Sequence, residues 1–176
     1  MSKGTTITEA EVESTDKAKS EYHRIDHIAI AVPDLEIAIP FFSDILGFNL
    51  IRRLETKGKR TGMISAEMEC NGIRFVLCQG TEPESQVSRL IEKHGPGVAH
   101  IALAVDDVHA MVKDLSSRGM KFDTSVIEGP GLQQAFSTRD GNSGLAFEFI
   151  ARGGEEGFLQ SNVQALFDQL ENSGSY

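Results

Sequence analysis

The sequence predicts an α+β protein in which two βαβββ modules pair to form one cupped, mostly antiparallel sheet, with an additional C-terminal helix. The main observation is an internal repeat: residues 24–32 and 97–105 both contain His-Ile-Ala and end in Ala-Val, at an offset of 73 residues. A second is Asn71-Gly72 between two apolar runs, which is typical of a two-residue hairpin. A third is an apolar helical stripe at the C-terminus.

Each module is predicted to begin with a buried strand and a helix. The repeated segments are rich in β-branched and apolar residues, as buried strands are. Asp34 and Asp107 follow them and are suitable N-caps, while Gly47 and Gly119 suit the left-handed position after a helix end. Pro40 conflicts with the first helix, so we expect a kink or a late start there.

Three more strands are expected after each helix. In the first module the Asn71-Gly72 turn separates two of them, at residues 64–70 and 73–79. In the second module the candidate strands are residues 121–127, 132–138 and 145–151. The segment between the modules is predicted to be helical.

The chain therefore divides into a disordered N-terminal tail, two modules, a linker helix and a C-terminal lid. The predicted bounds are residues 1–21 for the tail, 22–83 for the first module, 84–95 for the linker helix, 96–152 for the second module and 153–176 for the lid helix with its tail. Ser161 and Gln164 form a capping box at the start of the lid helix.

Composition and charge exclude several classes of protein. The net charge is -9 and no large Lys/Arg cluster occurs, which disfavours nucleic-acid binding. No apolar run approaches the ~20 residues of a membrane span, and the N-terminus lacks the apolar region of a signal peptide. Because Cys70 and Cys78 occur without such a signal, we expect reduced thiols and a cytoplasmic location.

Three residues predict a metal site. His27 and His100 occupy equivalent points of the repeat, so pairing of the modules brings both imidazoles into one cleft. Glu148 lies between two phenylalanines on the last predicted strand, where a carboxylate is costly unless it is paired or bound to metal. Two histidines and one carboxylate on rigid strands form a facial triad that leaves three positions of an octahedral metal open. We predict that His27, His100 and Glu148 are the metal ligands and the catalytic centre.

The sequence around these residues resembles sequences of the vicinal oxygen chelate superfamily. That superfamily includes glyoxalase I, methylmalonyl-CoA epimerase and 4-hydroxyphenylpyruvate dioxygenase. The resemblance extends from Tyr22 to about Glu171 and rests on the paired Asp-His-Ile and Ala-His-Ile strands. It implies paired βαβββ modules around a metal. The resemblance also suggests a homodimer, because proteins with such cupped sheets often form dimers. The sequence leaves the oligomeric state open.

Within the superfamily the chain is most similar to the catalytic domain of 4-hydroxyphenylpyruvate dioxygenase. The similar segments are residues 95–103, residues 147–152 and Gln134-Ala-Phe136. The resemblance implies Fe(II) as the cofactor, with O₂ and a small molecule as partners. It implies substrate-binding roles for Gln86, Gln134, Phe158 and Asn162. Val163 replaces the aromatic residue that the family places against the substrate ring, so the side chain of the substrate stays open.

Two enzymatic functions follow from the resemblance. The first is an Fe(II)-dependent dioxygenase that couples oxidative decarboxylation of a small 2-oxo acid to hydroxylation of the same molecule. The alternative is a metal-dependent epimerase or isomerase resembling methylmalonyl-CoA epimerase. That branch usually takes a fourth ligand from the first module, where the repeat offset points to Phe75 or Val76, and neither can coordinate a metal. A metal-free binding protein is a third class, disfavoured because all three ligand types are present.

Overall fold

One curled sheet of eight strands organises the protein. The computed structural model describes residues 21–58, 60–129 and 131–153. The strands are β1 (Arg24–Ala31), β2 (Asn49–Lys57), β3 (Gly62–Cys70), β4 (Ile73–Gly80), β5 (Gly97–Ala104), β6 (Ile127–Gly129), β7 (Leu132–Phe136) and β8 (Phe147–Arg152). The α-helices are α1 (Leu35–Pro40), α2 (Gln86–His94) and α3 (Val108–Ser117).

The strand order follows from the internal repeat. It is β2-β3-β4-β1-β5-β8-β7-β6, so the first strands of the two modules meet at the centre. β1 and β5 are antiparallel, and each pairs in parallel with the last strand of its own module, β4 or β8. The remaining pairs are antiparallel. The predicted fold class, two βαβββ units in a mostly antiparallel sheet, is confirmed.

Helices cover one face of the sheet and leave the other available for a site. Leu35 of α1 packs with Met68 and Leu77 of the first module, and Val108 of α3 packs near Phe149 of the second. Because side chains alternate along a strand, the residues between these core positions face the opposite side. That concave side carries the charged and polar residues of the central strands.

The helix boundaries agree with the capping signals in the sequence. Asp34 accepts a hydrogen bond from the backbone N–H of Glu36 at 2.8 Å, and Asp107 caps α3 in the same way. Gly47 (φ 79°) adopts the left-handed conformation that its position requires. The helix does not start late, as it begins at Leu35; at Pro40 α1 ends and a π-helical turn, Phe41–Ile45, continues it. Proline lacks the N–H that would extend the α-helical pattern.

The hairpin prediction is confirmed. Asn71 (φ 50°) and Gly72 (φ 82°) form the two-residue turn between β3 and β4. α2 occupies most of the predicted linker helix. In the described ranges, no helix has the length and apolarity needed to span a membrane.

The predicted strand at residues 121–127 is wrong. Phe122 forms an isolated bridge with Ser137, and the short β6 begins only at Ile127. The cause is competition from side chains, because the N–H of Phe136 donates to Oγ1 of Thr124 instead of to a strand carbonyl. Of the predicted tail (residues 1–21) all but Glu21 lies outside the described residues, and so does the predicted C-terminal helix.

Candidate metal centre

The two histidines come together because their strands are central and antiparallel. His27 of β1 is opposite Ala102 of β5, and His100 of β5 is opposite Ala29 of β1. The two histidines therefore occupy symmetry-related positions on the β1–β5 strand pair. Their ring centroids lie 5.5 Å apart at an interplanar angle of 80°. The pairing predicted from the repeat therefore brings both imidazoles to one place.

Glu148 of β8 completes the group. It is directly opposite Ala102 on β5, and its Oε2 lies 3.2 Å from Nε2 of His27 and 3.2 Å from Nε2 of His100. The side chain is only 1% exposed. Its other oxygen, Oε1, is buried and has no hydrogen-bond partner within the part of the chain that the structure describes. A buried carboxylate oxygen without a partner is costly, which favours a bound cation at this point.

The geometry fits a divalent metal. The three ligand atoms all lie within 4.8 Å of one another. Ligands on adjacent corners of an octahedral metal, each bonded at about 2.1 Å, are separated by about 3.0 Å, close to the distances from Glu148 to the two histidines. Two imidazole nitrogens and one carboxylate form the facial set that suits Fe(II) and leaves three positions open. Residues His27, His100 and Glu148 could therefore hold a metal.

The electrostatics around the three residues keep the carboxylate charged. Burial alone would raise the pKa of Glu148, but His27 and His100 outweigh it and the pKa is held well below its usual range. Burial disfavours the imidazolium of His27, yet Glu148 and Asp26 raise its pKa to about 9. Burial lowers the pKa of His100. A bound divalent cation would take the place of the proton that His27, His100 and Glu148 share.

Asp26 and Arg152 fix the orientation of His27. Nδ1 of His27 lies 3.0 Å from Oδ1 of Asp26, and Arg152 donates to both oxygens of that carboxylate at 2.9 and 2.8 Å. Neighbouring strand residues normally face opposite sides; here a register shift between Ile25 and His27 makes the contact possible. With Nδ1 engaged as a donor, Nε2 is left for the metal.

A cavity opens in front of the three ligands, with about 540 Å³ of empty space including the part open to solvent. Besides the ligands, its walls are formed by Ala29, Arg52, Leu54, Met63, Ser65, Glu67, Val76, Cys78, Gln134 and Phe136. The ring of Phe136 packs edge-on against His100, with centroids 5.1 Å apart. Most of the wall is apolar, as in small-molecule sites.

The predicted substrate-binding residues are placed differently. Gln134 is buried and lines the cavity. Gln86 is buried at the start of α2, outside the cavity wall formed by the described residues. Phe158 and Asn162 lie outside the described residues. Their roles stay predictions.

Strand register reveals an asymmetry between the modules. In the second module Ala102 is opposite Glu148. The equivalent pair in the first module is Ala29 and Val76, because the strands pair in the same parallel register. Val76, rather than Phe75, therefore occupies the position that corresponds to Glu148, and it lines the cavity. The candidate metal site therefore has the carboxylate of Glu148 on one side and the apolar side chain of Val76 on the other.

Sequence reasoning missed Asp26, Arg152, Arg52 and Glu67. Asp26 directly precedes a predicted metal ligand, and this proximity could have indicated its role. Its contact with His27 depends on a bulge that the residue pattern does not show. Arg52 and Glu67 stand among other charged residues on β2 and β3. Only the register shows that the two face each other inside the cup.

Comparison with known proteins agrees with this architecture. Residues 24–149 match the family model described as the glyoxalase/bleomycin resistance protein/dioxygenase superfamily. A 4-hydroxyphenylpyruvate dioxygenase from Pseudomonas aeruginosa is 32% identical, over 84% of this chain and 51% of that protein. The chain thus spans about half the length of this curated relative.

Two solved structures have similar folds. A mutant of 4-hydroxymandelate synthase from Streptomyces coelicolor superposes with a TM-score of 0.75 at 23% identity, covering 85% of this chain and 54% of that one. A methylmalonyl-CoA epimerase variant from the same organism, in complex with 2-nitronate-propionyl-CoA, gives 0.66 at 25% identity, covering 76% and 100%. A synthase and an epimerase therefore share this fold.

Proposed function

We propose that this chain, which belongs to the glyoxalase/bleomycin resistance protein/dioxygenase superfamily, is an Fe(II)-dependent dioxygenase. Its substrate would be a small 2-oxo acid. The net reaction is oxidative decarboxylation coupled to hydroxylation of the same substrate. The partners of the reaction are the 2-oxo acid and O₂.

The observation that carries this proposal is the number of protein ligands. His27, His100 and Glu148 supply three, and Val76 stands where a fourth would come from the first module. A three-ligand site leaves three adjacent positions on an octahedral metal, enough for a bidentate 2-oxo acid and O₂. Fe(II), when bound, supplies the oxygen chemistry, which side chains cannot perform.

The residues of the chain hold the metal and shape the pocket. His27 is fixed by Asp26, so its Nε2 faces the site in a defined orientation. Glu148 is held ionised by the two imidazoles and balances part of the charge of a dication. Apolar side chains such as Leu54, Met63 and Phe136 limit the access of water.

The epimerase alternative is supported by the similarity to the methylmalonyl-CoA epimerase structure over its whole length. That chemistry needs a protein base beside the substrate. In the described cavity wall the carboxylate that is not a ligand candidate is Glu67, and it is bound by Arg52 and Arg74 at 2.7 and 2.9 Å. Both oxygens of this carboxylate are thus engaged by arginine side chains of the protein rather than with a substrate. We therefore favour the dioxygenase.

Anaerobic titration tests the proposal. Protein loaded with Fe(II) should develop a visible charge-transfer band when a 2-oxo acid chelates the metal, and His100→Ala should abolish it. The panel should include aromatic, aliphatic and dicarboxylic 2-oxo acids. If no member of such a panel produces a band on fully loaded protein, the proposed function is wrong.

A further inference from the structure

A β-bulge lies directly before each of the two histidines of the candidate metal centre. The pairing of β1 with β5 skips Asp26 on β1 and skips Ala99 on β5, so each of these residues is the extra residue of a bulge. Asp26 and Ala99 are separated by the same repeat offset as His27 and His100. The two bulges are therefore equivalent features of the two modules.

The two bulge residues differ in what they offer the histidine that follows. The carboxylate of Asp26 engages Nδ1 of His27 at 3.0 Å. Ala99 has only a methyl group at the equivalent position, and a methyl group cannot accept a hydrogen bond. In the part of the chain that the structure describes, His100 contacts Glu148 through Nε2 and packs against two aromatic rings, and none of these contacts engages Nδ1. The side-chain support of His27 therefore has no counterpart at His100 among the described residues.

An arginine holds the second bulge through its backbone. Arg139, in the loop between β7 and β8, donates from one terminal nitrogen to the carbonyl oxygen of Ala99 at 2.6 Å and from the other to the carbonyl oxygen of Gly144. Ala99 is opposite no residue of β1 or β8 in the register of the sheet. Its carbonyl therefore needs a partner from outside the strand ladder, and the fixed fork of a guanidinium can serve two such acceptors at once.

We propose that Arg139 is a positioning residue for His100 and does in the second module what Asp26 and Arg152 do in the first. This inference rests on the proposed metal centre. The carbonyl that Arg139 holds belongs to the peptide between Ala99 and His100, so the contact fixes the backbone from which the imidazole extends. Metal sites require their ligands to stay within about 0.5 Å of the productive geometry, which depends on such supporting contacts.

Metal affinity, measured by competition with a coloured chelator, tests the proposal without turnover. Arg139→Met removes every donor and keeps much of the side-chain length, so we expect affinity to fall about 10-fold or more. Arg139→Lys keeps the charge but has one nitrogen in place of the fork, so its affinity should lie between those of Arg139→Met and the wild type. Arg118→Gln is the matched control, because Arg118 pairs with Asp114 at the end of α3, and it should bind metal as the wild type does.

A spectroscopic signature separates positioning of His100 from a general loss of structure. In Co(II)-loaded protein the Nδ1 protons of coordinated imidazoles give strongly shifted NMR signals. The His27 signal should persist when water is saturated, because Asp26 holds that proton, whereas the His100 signal should be lost. Arg139→Met should shift the ring-proton signals of His100 and leave those of His27 in place. Asp26→Asn should do the reverse, which assigns the two sets.

Each other outcome contradicts a defined part of the account. If folded Arg139→Met keeps wild-type affinity, or if it shifts the signals of both histidines equally, Arg139 is an ordinary loop contact and the three-ligand centre stands. If Arg139→Met does not fold, Arg139→Lys and the wild-type spectrum decide, because two equally protected Nδ1 protons would show that His100 has its own side-chain partner. If the wild-type protein binds no metal, the proposed function fails and the positioning role fails with it.

Discussion

Oδ1 of Asp26 lies 3.0 Å from Nδ1 of His27, although the two residues are neighbours on one strand. The contact is buried, and Arg152 from β8 binds the same carboxylate with two nitrogens. Burial would raise the pKa of Asp26, but the hydrogen bonds from His27 and Arg152 keep it well below its usual range. Asp26 is thus a charged positioning residue for His27.

Asp26→Asn should weaken metal binding without removing a ligand. Loss of such a supporting carboxylate typically costs about 10- to 100-fold in metal affinity. Competition with a coloured chelator measures the affinity directly and does not depend on turnover. Asp106→Asn is the matched control, because Asp106 bonds the exposed His23 at 2.9 Å. Equal affinity in folded Asp26→Asn and wild-type protein would show that Asp26 has only a structural role.

Each of His27, His100 and Glu148 should be required for one tightly bound metal per chain. Replacing any of them by alanine removes one of three ligands, so affinity should fall by more than the ~100-fold expected for a supporting residue. Metal content after anaerobic loading and desalting gives the stoichiometry, and circular dichroism checks the fold. Unchanged metal content in all three variants would remove the basis of the site.

Val76→Glu should add a fourth protein ligand. Its position corresponds to Glu148 through the shared pairing of Val76 with Ala29 and of Glu148 with Ala102. We expect the variant to keep its metal but to bind 2-oxo acids about 10-fold or more weakly, because one of the three open positions is taken. Val76→Leu controls for side-chain size. A full-strength charge-transfer band in Val76→Glu would mean that residue 76 does not reach the metal.

Cys78 should be nearly inert to alkylation in the native protein. It lines the cavity and is 7% exposed, and burial raises the pKa of its thiol to about 12. At pH 8 it is therefore a neutral thiol, and since the thiolate is the nucleophile, it should react at least about 10-fold more slowly than Cys70. Mass spectrometry after iodoacetamide treatment measures both sites. The difference should vanish in guanidinium chloride; equal native rates would contradict the buried environment.

The sequence predicted the features that depend on local pattern and on the repeat. Equivalent positions on two similar strands were enough to place His27 beside His100, because a module pair of this kind brings its first strands to the centre. The hairpin at Asn71-Gly72 and the caps at Asp34 and Asp107 follow from the backbone preferences of those residues.

The features that the sequence did not predict depend on register. A shift of one residue decides whether Phe75 or Val76 corresponds to Glu148, and only the strand pairing settles it. The bulge that turns Asp26 toward His27 leaves no pattern of its own. The strand expected at residues 121–127 was lost because the hydroxyl of Thr124 replaced a backbone acceptor, a choice that propensity does not reveal.

The most direct test of the central claim is the stoichiometry of gases during turnover. With the 2-oxo acid that binds best, Fe(II)-loaded protein should consume O₂ and release CO₂ in a ratio of about one to one, since three protein ligands leave room for both substrates. Replacing Fe(II) by Zn(II), which cannot change oxidation state, should stop the reaction. Conversion that continues without O₂, or that runs equally well with Zn(II), would contradict the dioxygenase and support an isomerase.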